Sequence, residues 1–287
     1  MRKTIAIIGL GKMGNNMRLR LQEKGWKVLG FDKNPALEKL VKGLSRPRVV
    51  WLMVPAGKPV DEVIKGLVKF LQEGDIIIDG GNSFYEDSIK RAQKLSKKGI
   101  NFLDVGVSGG PEGARKGACL MVGGKKETFV KLKPLFRDLA QKEGFEYVGK
   151  SGAGHFVKMV HNGIEYGMMQ AIAEGFNLMK NSAFNLDLKK TAALYNRGSV
   201  IESRLIGWLE KGLQKHGQDL KNISGEVGAT GEGEWTVKVA KKRKIPVKVI
   251  EESVSFRKQS HKKPSYTGKI LSALREQFGG HSVKNNK

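Results

Sequence analysis

The segment up to Asp32 carries the pattern that most restricts how this chain can fold. Residues 4–9 read Thr-Ile-Ala-Ile-Ile-Gly, a continuous apolar run that is typical of a parallel strand buried on both faces. A turn with glycines at positions 9, 11 and 14 follows, then a helix to about Lys24 and a second strand that ends in Asp32. Strand, glycine turn, helix, strand and acidic residue in this order predict a turn that holds the pyrophosphate of a dinucleotide.

The glycines of this turn have different expected roles. Gly9 permits the tight turn, Gly11 lets backbone amides approach the pyrophosphate, and Gly14 lets the helix pack closely on the strand. A tight turn without a ligand is the alternative. The predicted cofactor-binding residues are Gly9, Leu10, Gly11, Lys12, Met13, Gly14, Asp32, Lys33, Val54, Pro55, Ala56 and Asn82.

Strand and helix patterns alternate through the first half of the chain. Further strands are predicted over residues 49–54, 76–79, 101–105 and 118–122, and helices over residues 59–71, 85–98 and 126–140. After about Gly149 the predicted segments are helices, over residues 154–180, 187–196 and 199–214. We therefore predict an α/β fold with a doubly wound parallel sheet of Rossmann type over residues 1–150, and an all-α substrate and dimerisation domain over residues 151–287.

Size and charge are consistent with this organisation. A chain of 287 residues exceeds the usual size of one domain, so two domains are expected. The net charge of +24 attracts phosphate groups, whether on nucleic acids or on small metabolites. The lysines are spread along the whole chain, and the tightest basic clusters, at residues 241–244 and 262–263, lack interleaved aromatic residues. A lysine-rich surface is therefore favoured over a nucleic-acid-binding protein.

Cysteine content and hydropathy exclude several other classes of protein. Cys119 is the single cysteine, which excludes an internal disulfide and a cysteine metal cluster. The chain offers no other metal-ligand cluster, so no metal is expected. No apolar run approaches the length that spans a bilayer. The N-terminus enters a strand pattern at once and has no cleavage-like site, unlike a signal peptide. A cytoplasmic protein without a membrane partner is expected.

Residues 152–166 combine several reactive side chains with an otherwise apolar helix pattern. Lys158, His161, Asn162 and Glu165 project to one side of the predicted helix. A lysine and a glutamate in one poorly solvated cleft can have their pKa values moved toward neutrality, as two-step proton transfer requires. The alternative is an ordinary intrahelical ion pair, and the spacing alone does not decide between the two.

Two glycine-rich segments follow predicted strands. Asp79-Gly-Gly-Asn82-Ser83 comes after a buried strand, at the sheet edge where ligands bind in such folds. In the second segment, the glycines after Ser108 would expose backbone amides, beside the serine hydroxyl, to a carboxylate or an alkoxide. A surface turn is the alternative for each segment.

Together these motifs resemble the β-hydroxyacid dehydrogenase superfamily. The shared elements are the glycine turn, the Ser108-Gly109-Gly110 segment and Gly152-x-Gly154-x-x-x-Lys158-x-x-x-Asn162. Within that superfamily the chain resembles a short form of 6-phosphogluconate dehydrogenase (decarboxylating). This narrower resemblance rests on Asp79-Gly-Gly-Asn82-Ser83, on His161-Asn162-Gly-Ile-Glu165-Tyr166 and on Arg275-Glu-Gln-Phe-Gly-Gly-His281.

The resemblance implies the oxidative decarboxylation of 6-phosphogluconate to ribulose 5-phosphate with reduction of NAD(P)+. Lys158 is then the general base on the 3-hydroxyl, which later returns a proton toward the carbonyl oxygen, and Glu165 supplies the proton to C1. The residues implied to position the sugar and its carboxylate are Asn82, Ser108, Gly109, Gly110, His161 and Asn162. Those implied to contact the phosphate are Tyr166, Arg257, Arg275 and His281. The last two would come from a partner subunit, in a homodimer or homotetramer.

Two departures from the family pattern are visible. The segment between Asp32 and Val49 is too short for the helix, strand and helix usual there, so a helix and an edge strand are predicted to be missing. In the family, this helix and edge strand normally flank the adenosine of the cofactor, so their absence places the affinity for the cofactor in doubt. Thr230 stands where long-form enzymes carry a phosphate-binding lysine.

Cofactor choice and two alternative functions stay open at this stage. A carboxylate at Asp32 accepts hydrogen bonds from both ribose hydroxyls and repels a 2′-phosphate, which favours NAD+. Lys33 beside it keeps NADP+ as an alternative. The alternative functions are another β-hydroxyacid dehydrogenase that does not decarboxylate, and a degenerate Rossmann protein that binds nucleic acid.

Overall fold

Seven strands form one sheet in the first half of the molecule. The structure, a computed structural model, describes residues 3–32 and 37–283. The strands are β1 (Thr4–Ile8), β2 (Lys27–Phe31), β3 (Val49–Leu52), β4 (Ile76–Asp79), β5 (Asn101–Ser108), β6 (Ala118–Gly124) and β7 (Ala140–Gly149), in the spatial order β2-β1-β3-β4-β5-β6-β7. Neighbouring strands from β2 to β5 pair in parallel, β6 is antiparallel to β5, and β7 is parallel to β6.

Helices cover both faces of this sheet. They are α1 (Lys12–Glu23), α2 (Leu37–Lys42), α3 (Lys58–Leu67), α4 (Tyr85–Ser96), α5 (Gly110–Lys116) and α6 (Lys126–Leu139). Ile5 and Ile7 of β1 pack in one core cluster with α1 and α6, whereas Ala6 and Ile8 pack in another with α2 and α3. Burial on both faces explains the continuous apolar run of β1. The predicted α/β fold class is confirmed.

The sheet differs from the sequence prediction in several details, one of which is that β6 is antiparallel to β5 whereas a parallel sheet was predicted. The strand predicted over residues 101–105 continues to Ser108, so Ser108 ends a strand instead of lying in a loop. Strand β7 was not predicted, because its polar residues hide the pattern of an edge strand that buries one face. Its partly buried residues Phe145 and Tyr147 lie against Phe129 of the core.

The segment between β2 and β3 is as short in the structure as in the sequence. Among its described residues it holds one helix, α2, and no strand. Strand β2 is therefore an edge strand of the sheet. Residues 33–36 of this segment, including Lys33, lie outside the described residues.

Contacts within the chain divide it into two units, Met1–Met159 and Val160–Lys287. The predicted boundary after residue 150 stays a prediction. Helix α7 (Ala153–Lys180) is continuous, and its first residues belong to the first unit. The second unit then contains α8 (Leu188–Tyr195), α9 (Arg204–His216), α10 (Glu232–Lys242), α11 (Lys248–Ser260) and α12 (Tyr266–Gly279).

Helix α12 is at the centre of the second unit. Ile270, Leu271 and Leu274 are fully buried and pack in the same cluster as residues of α9. The predicted start of α9 at Ser199 was wrong, because Ser203 caps the helix: its Oγ accepts a hydrogen bond from the Ile206 amide at 3.2 Å. No helix within the described residues has the length and apolar character needed to cross a membrane.

Candidate active site

The glycine turn lies at the point where the strand order reverses. The chain leaves β1 for β2 on one side and returns to β3 on the other, which is where ligands bind in open α/β sheets. A Cβ on Gly14 would come within 2.0 Å of the Gly9 carbonyl oxygen, so packing of α1 on the turn requires glycine there. A Cβ on Gly11 would meet nothing within 4 Å. Packing within the chain therefore does not require a glycine at Gly11, and the open space beside its backbone suits a bound pyrophosphate.

Asp32 lies directly beside this turn. It follows the last residue of β2, is exposed, and accepts a hydrogen bond from the Leu10 amide on Oδ1 at 3.4 Å. The turn and the carboxylate together fit the pyrophosphate and ribose of a dinucleotide.

The Asp79-Gly-Gly-Asn82-Ser83 loop is held by its own first residue. Asp79 is fully buried at the end of β4, where Oδ2 accepts a hydrogen bond from Ser83 Oγ at 2.7 Å and Oδ1 accepts one from the Gly81 amide at 3.2 Å. Asn82 lies between these two anchors and is exposed. The parallel pairing of β1 to β4 places this loop at the same sheet edge as the glycine turn.

The chain turns sharply after Ser108. Gly109 and Gly110 have φ values of 119° and 63°, which favour glycine, and α5 begins at Gly110. Two successive residues of this kind let the chain pass directly from β5 into α5. Ser108 itself is partly buried at the end of β5.

Lys158 is placed by close packing of α7 on the sheet. A Cβ on Gly154 would come within 2.2 Å of the Asp104 carbonyl oxygen, and one on Gly106 would come within 2.4 Å of the Lys158 Cβ. The first turns of α7 therefore lie directly on β5, and the Lys158 stem lies on Gly106. Only 8% of the Lys158 surface is exposed.

A buried carboxylate fixes the start of α7. Asp104 accepts hydrogen bonds from the Gly152 amide at 2.7 Å and the His155 amide at 2.9 Å, which satisfies donors that a helix N-terminus leaves without partners. The His155 ring is also buried, with Nδ1 2.7 Å from Ser88 Oγ of α4. Sequence reasoning missed that Asp104 caps α7 and that Ser88 contacts the His155 ring, because Asp104 and Ser88 are distant from α7 in the chain.

Within the second unit, α7 carries a polar cluster. Nδ1 of His161 lies 3.0 Å from Asn162 Oδ1 and 3.7 Å from Glu165 Oε2. Glu165 is half-buried. Three of the four side chains that sequence reasoning placed on one side of the helix are thus brought together.

Tyr166 and two arginines form a buried group in the same unit. The Arg257 guanidinium lies over the Tyr166 ring at 3.3 Å from its centroid, and Arg275 lies against Gly228. Burial lowers the pKa of Arg257 to about 10, an effect that Arg275 increases and that the charges of Glu165 and Glu232 oppose. Burial also lowers the pKa of Arg275, against the same two carboxylates. The Tyr166 hydroxyl is buried and has no hydrogen-bond partner among the described residues.

A cavity of about 220 Å³ adjoins this group. It is lined by Tyr166, Val227, Ala229, Glu234, Val254, Arg257, Lys258 and His261. Lys258 forms an ion pair with Glu234 at 3.1 Å, and His261 lies 3.3 Å from Glu226. Arg257 and Lys258 outnumber the one carboxylate of the lining, Glu234, which makes this cavity suited to a phosphorylated or otherwise anionic ligand.

Some residues of this region were missed or placed differently by sequence reasoning. Glu232, which is buried near both arginines, was missed, as were Lys258 and His261; the one signal for Lys258 is its position next to Arg257. Thr230 is exposed. His281 packs edge-on against Phe278, with ring centroids 6.0 Å apart, and is not among the residues lining the cavity.

No cluster of three or more histidine, cysteine, aspartate or glutamate residues suited to a metal ion occurs within residues 3–32 and 37–283.

Two family models together match nearly the whole chain. The NAD binding domain of 6-phosphogluconate dehydrogenase matches residues 4–149, and the C-terminal domain of 6-phosphogluconate dehydrogenase matches residues 154–287. The chain belongs to the 6-phosphogluconate dehydrogenase family. The family resemblance predicted from the sequence is confirmed, and this family is one of oxidoreductases.

Two relatives of similar length come from Bacillus subtilis and Haloferax volcanii. The Bacillus subtilis protein YqeC, provisionally named a 6-phosphogluconate dehydrogenase, is 43% identical over 98% of this chain and 99% of its own length. A Haloferax volcanii enzyme named as the NAD+-dependent, decarboxylating 6-phosphogluconate dehydrogenase is 38% identical over 97% of this chain and 98% of its own length.

A solved structure of a longer family member has the same fold. The 6-phosphogluconate dehydrogenase of Plasmodium falciparum, studied without ligand, with its cofactor NADP+ and with its substrate 6-phosphogluconate, is 31% identical to this chain. The match has a TM-score of 0.79 and covers 94% of this chain and 70% of that one.

Proposed function

We propose that this protein is a decarboxylating 6-phosphogluconate dehydrogenase that converts 6-phospho-D-gluconate to D-ribulose 5-phosphate and CO2. The observation that carries the proposal is the buried group of Tyr166, Arg257 and Arg275. A buried tyrosine hydroxyl without a hydrogen-bond partner beside two buried guanidinium groups suits a phosphate, which supplies several acceptor oxygens and negative charge beyond that of the nearby Glu165 and Glu232. An unphosphorylated hydroxyacid would offer that group fewer acceptor oxygens and less negative charge.

We propose NAD+ as the preferred cofactor. The exposed carboxylate of Asp32 beside the glycine turn suits ribose hydroxyls and repels a 2′-phosphate. Bound at the turn, NAD+ would accept the hydride from C3 of the substrate. The name of the Haloferax relative supports NAD+, whereas the Plasmodium enzyme binds NADP+, so both cofactors belong in the test.

Lys158 is proposed to handle the proton at the substrate 3-hydroxyl. Its amine takes that proton as C3 is oxidised and returns it to the carbonyl oxygen as CO2 leaves. A β-keto acid loses CO2 readily once its carbonyl is polarised, and a lysine held in a mostly buried position is suited to that work. The packing of its stem on Gly106 limits where the amine can lie.

Glu165 is proposed to donate the proton that C1 gains after CO2 has left. Glu165 lies two helical turns beyond Lys158 on α7, and Nδ1 of His161 lies 3.7 Å from its carboxylate. One proton goes to the carbonyl oxygen and the other to C1. These two protonation steps require two titratable groups, and this helix carries both.

The remaining predicted residues are proposed to bind the substrate. Those for the sugar and its carboxylate are Asn82, Ser108, Gly109, Gly110, His161 and Asn162; those for the phosphate are Tyr166, Arg257, Arg275 and His281. A homodimer or homotetramer is part of the proposal. The resemblance implies that Arg275 serves a partner's site, but in this structure Arg275 lies in the buried group of its own chain.

The decisive experiment mixes purified protein with 6-phosphogluconate and either cofactor. We expect NADH formation, release of one CO2 for each NADH, and a lower KM for NAD+ than for NADP+. Lys158→Ala, as control, should form neither product. Cofactor reduction without CO2 would favour a non-decarboxylating β-hydroxyacid dehydrogenase, and reduction of neither cofactor would contradict the proposal.

A further inference from the structure

Arg91 of α4 is a buried arginine that contacts three separate parts of the first unit. Its Nε donates to Asp61 Oδ1 of α3 at 2.8 Å, and its two terminal nitrogens donate to Asp79 Oδ2 at 3.3 Å and to the Gly57 carbonyl oxygen at 3.1 Å. Only 5% of the arginine surface is exposed. None of the motifs recognised in the sequence includes this residue.

The partners of Arg91 hold the two loops that follow β3 and β4. Gly57 ends the loop of residues 54–57, which contains the predicted cofactor residues Val54, Pro55 and Ala56. Asp79 begins the loop that carries Asn82 and also accepts the hydrogen bond of Ser83. One guanidinium group is therefore bonded to both loops, which we call the β3 loop (residues 54–57) and the β4 loop (residues 79–83).

Arg91 supplies a charge at this position as well as a geometry. The Asp79 side chain has no exposed surface, and a buried carboxylate requires a cation or several donors nearby. The planar guanidinium satisfies three acceptors in different directions, whereas a lysine presents its donors from a single atom and cannot reproduce that arrangement. Asp61, the third partner, is mostly exposed and contributes less to the requirement.

We propose that Arg91 is a positioning residue that sets the β3 loop and the β4 loop relative to each other. It thereby determines how well the cofactor and the Asn82 side chain are placed for the reaction. This inference rests on the proposed function, because it concerns loops that the proposal assigns to cofactor and substrate.

The same unit contains a matched control at the opposite edge of the sheet. Arg48 precedes β3 and Asp75 precedes β4, and the Arg48 guanidinium lies 3.1 Å from the fully buried Asp75 carboxylate. Asp75 also accepts hydrogen bonds from the Arg48 and Gln72 amides. The pair Arg48–Asp75 thus has the chemistry of Arg91–Asp79, but it lies at the amino ends of β3 and β4.

The test compares Arg91→Lys with Arg48→Lys. We expect both variants to lower the urea midpoint of unfolding to a similar extent. Arg91→Lys alone should weaken NAD+ binding, raise the KM for the phosphorylated substrate and lower kcat, each by about tenfold, because small misplacements of reacting groups are costly. Arg48→Lys should keep all three within twofold of the wild-type protein. Equal kinetic effects of the two variants would overturn the proposal.

Two further measurements separate positioning from general stability. In the ligand-free protein, amide hydrogen exchange in the β3 and β4 loops should rise in Arg91→Lys and stay unchanged in Arg48→Lys; unchanged exchange in both would overturn the proposal even if the enzyme had another substrate. In Arg91→Ala, millimolar guanidinium should restore part of the lost kcat, and the absence of such rescue would count against a positioning role. Wild-type turnover with 6-phosphogluconate, measured beside these variants, tests the proposed function on its own.

Discussion

At the scale of single residues, the proposed chemistry depends on side chains that are held partly out of water. Lys158 is almost fully buried, Glu165 is half-buried, and Arg257 is covered by protein on nearly all sides. Charged groups in such surroundings interact more strongly with a bound anion than surface groups do. Replacing Lys158 or Glu165 is therefore expected to lower the rate of catalysis strongly, and replacing Arg257 is expected to weaken substrate binding.

Replacing Glu165 by glutamine should slow the enzyme without preventing oxidation at C3. Loss of a general acid typically lowers kcat by about a hundredfold to ten-thousandfold. A single-turnover experiment with excess enzyme should still show NADH forming, while ribulose 5-phosphate appears slowly. Glu174→Gln, an exposed position on the same helix, is the control and should behave as wild type. Loss of NADH formation in Glu165→Gln would assign the residue to the oxidation step instead.

The pKa of Arg257 predicts how substrate affinity depends on pH. Because burial lowers this pKa to about 10, the guanidinium charge that holds the phosphate is present below that pH and is lost as pH rises through it. Calorimetric titration should show weaker 6-phosphogluconate binding as pH rises through about 10. In Arg257→Gln the affinity should be low throughout and lack this step. A wild-type affinity that stays constant through this range would contradict the assignment.

The same shift has a defined effect on folding. The folded state binds the Arg257 proton less tightly than the unfolded state, so this group makes stability rise with pH between about 10 and its ordinary pKa. At neutral pH the buried charge of Arg257 lowers the free energy of unfolding, which is consistent with a residue retained for ligand binding.

At the level of secondary-structure elements, the start of α7 is closely constrained by its contacts with β5. The helix needs glycine at Gly154 to approach β5, and it needs the Asp104 carboxylate to accept its first amides. Both requirements serve to place Lys158 beside the end of β5. A substitution that enlarges one side chain at this contact is expected to affect catalysis as well as stability.

Gly106→Ala should therefore disturb both properties. The new Cβ would come within 2.4 Å of the Lys158 Cβ, and overpacking of this kind costs about 1–3 kcal/mol. We expect a lower urea midpoint and a lower kcat, with the Kd of NAD+ little changed.

A control for this substitution lies on the same helix. At Gly175 a Cβ would meet nothing within 4 Å, so Gly175→Ala should stabilise α7 by up to about 1 kcal/mol. Its kinetic constants should match those of the wild type. A Gly106→Ala protein with wild-type kcat would show that Lys158 tolerates displacement.

For the molecule as a whole, the main question is whether Arg275 serves the site of its own chain or the site of a partner subunit. Helix α12 is buried in its own unit, and residues 261–265 form the short connection from α11. The Ser272 hydroxyl also donates to the Glu226 carbonyl oxygen at 2.7 Å, which ties α12 to the segment before α10. These contacts favour an Arg275 that serves the site of its own chain.

Mixed oligomers test this expectation. Lys158→Ala and Arg275→Ala chains, each inactive alone, should stay inactive when co-expressed and purified as hetero-oligomers. If Arg275 crossed to a partner, the mixed oligomer would contain sites with both residues intact, and activity would return. Co-expression of wild-type and Lys158→Ala chains is the control that mixing itself preserves activity.

Much of the fold followed from short-range patterns. The glycine turn, Asp32 and the alternation of strands and helices predicted the α/β class, since each depends on residues that are neighbours in the chain. Strand β7 was missed because an edge strand with charged residues lacks that local signal. Arg275 was predicted to be a site residue, but the sequence pattern did not show that it lies in the buried group of its own chain.

Local sequence patterns were enough to predict the family, the α/β class and which side chains on α7 share a face, because steric and periodic requirements act over a few residues. The tertiary structure alone decided that Asp104 caps α7, that Arg91 joins the β3 and β4 loops, and that Glu232 is buried near two arginines. These contacts join residues far apart in the chain. Their geometry depends on how the elements pack, and no local pattern encodes it.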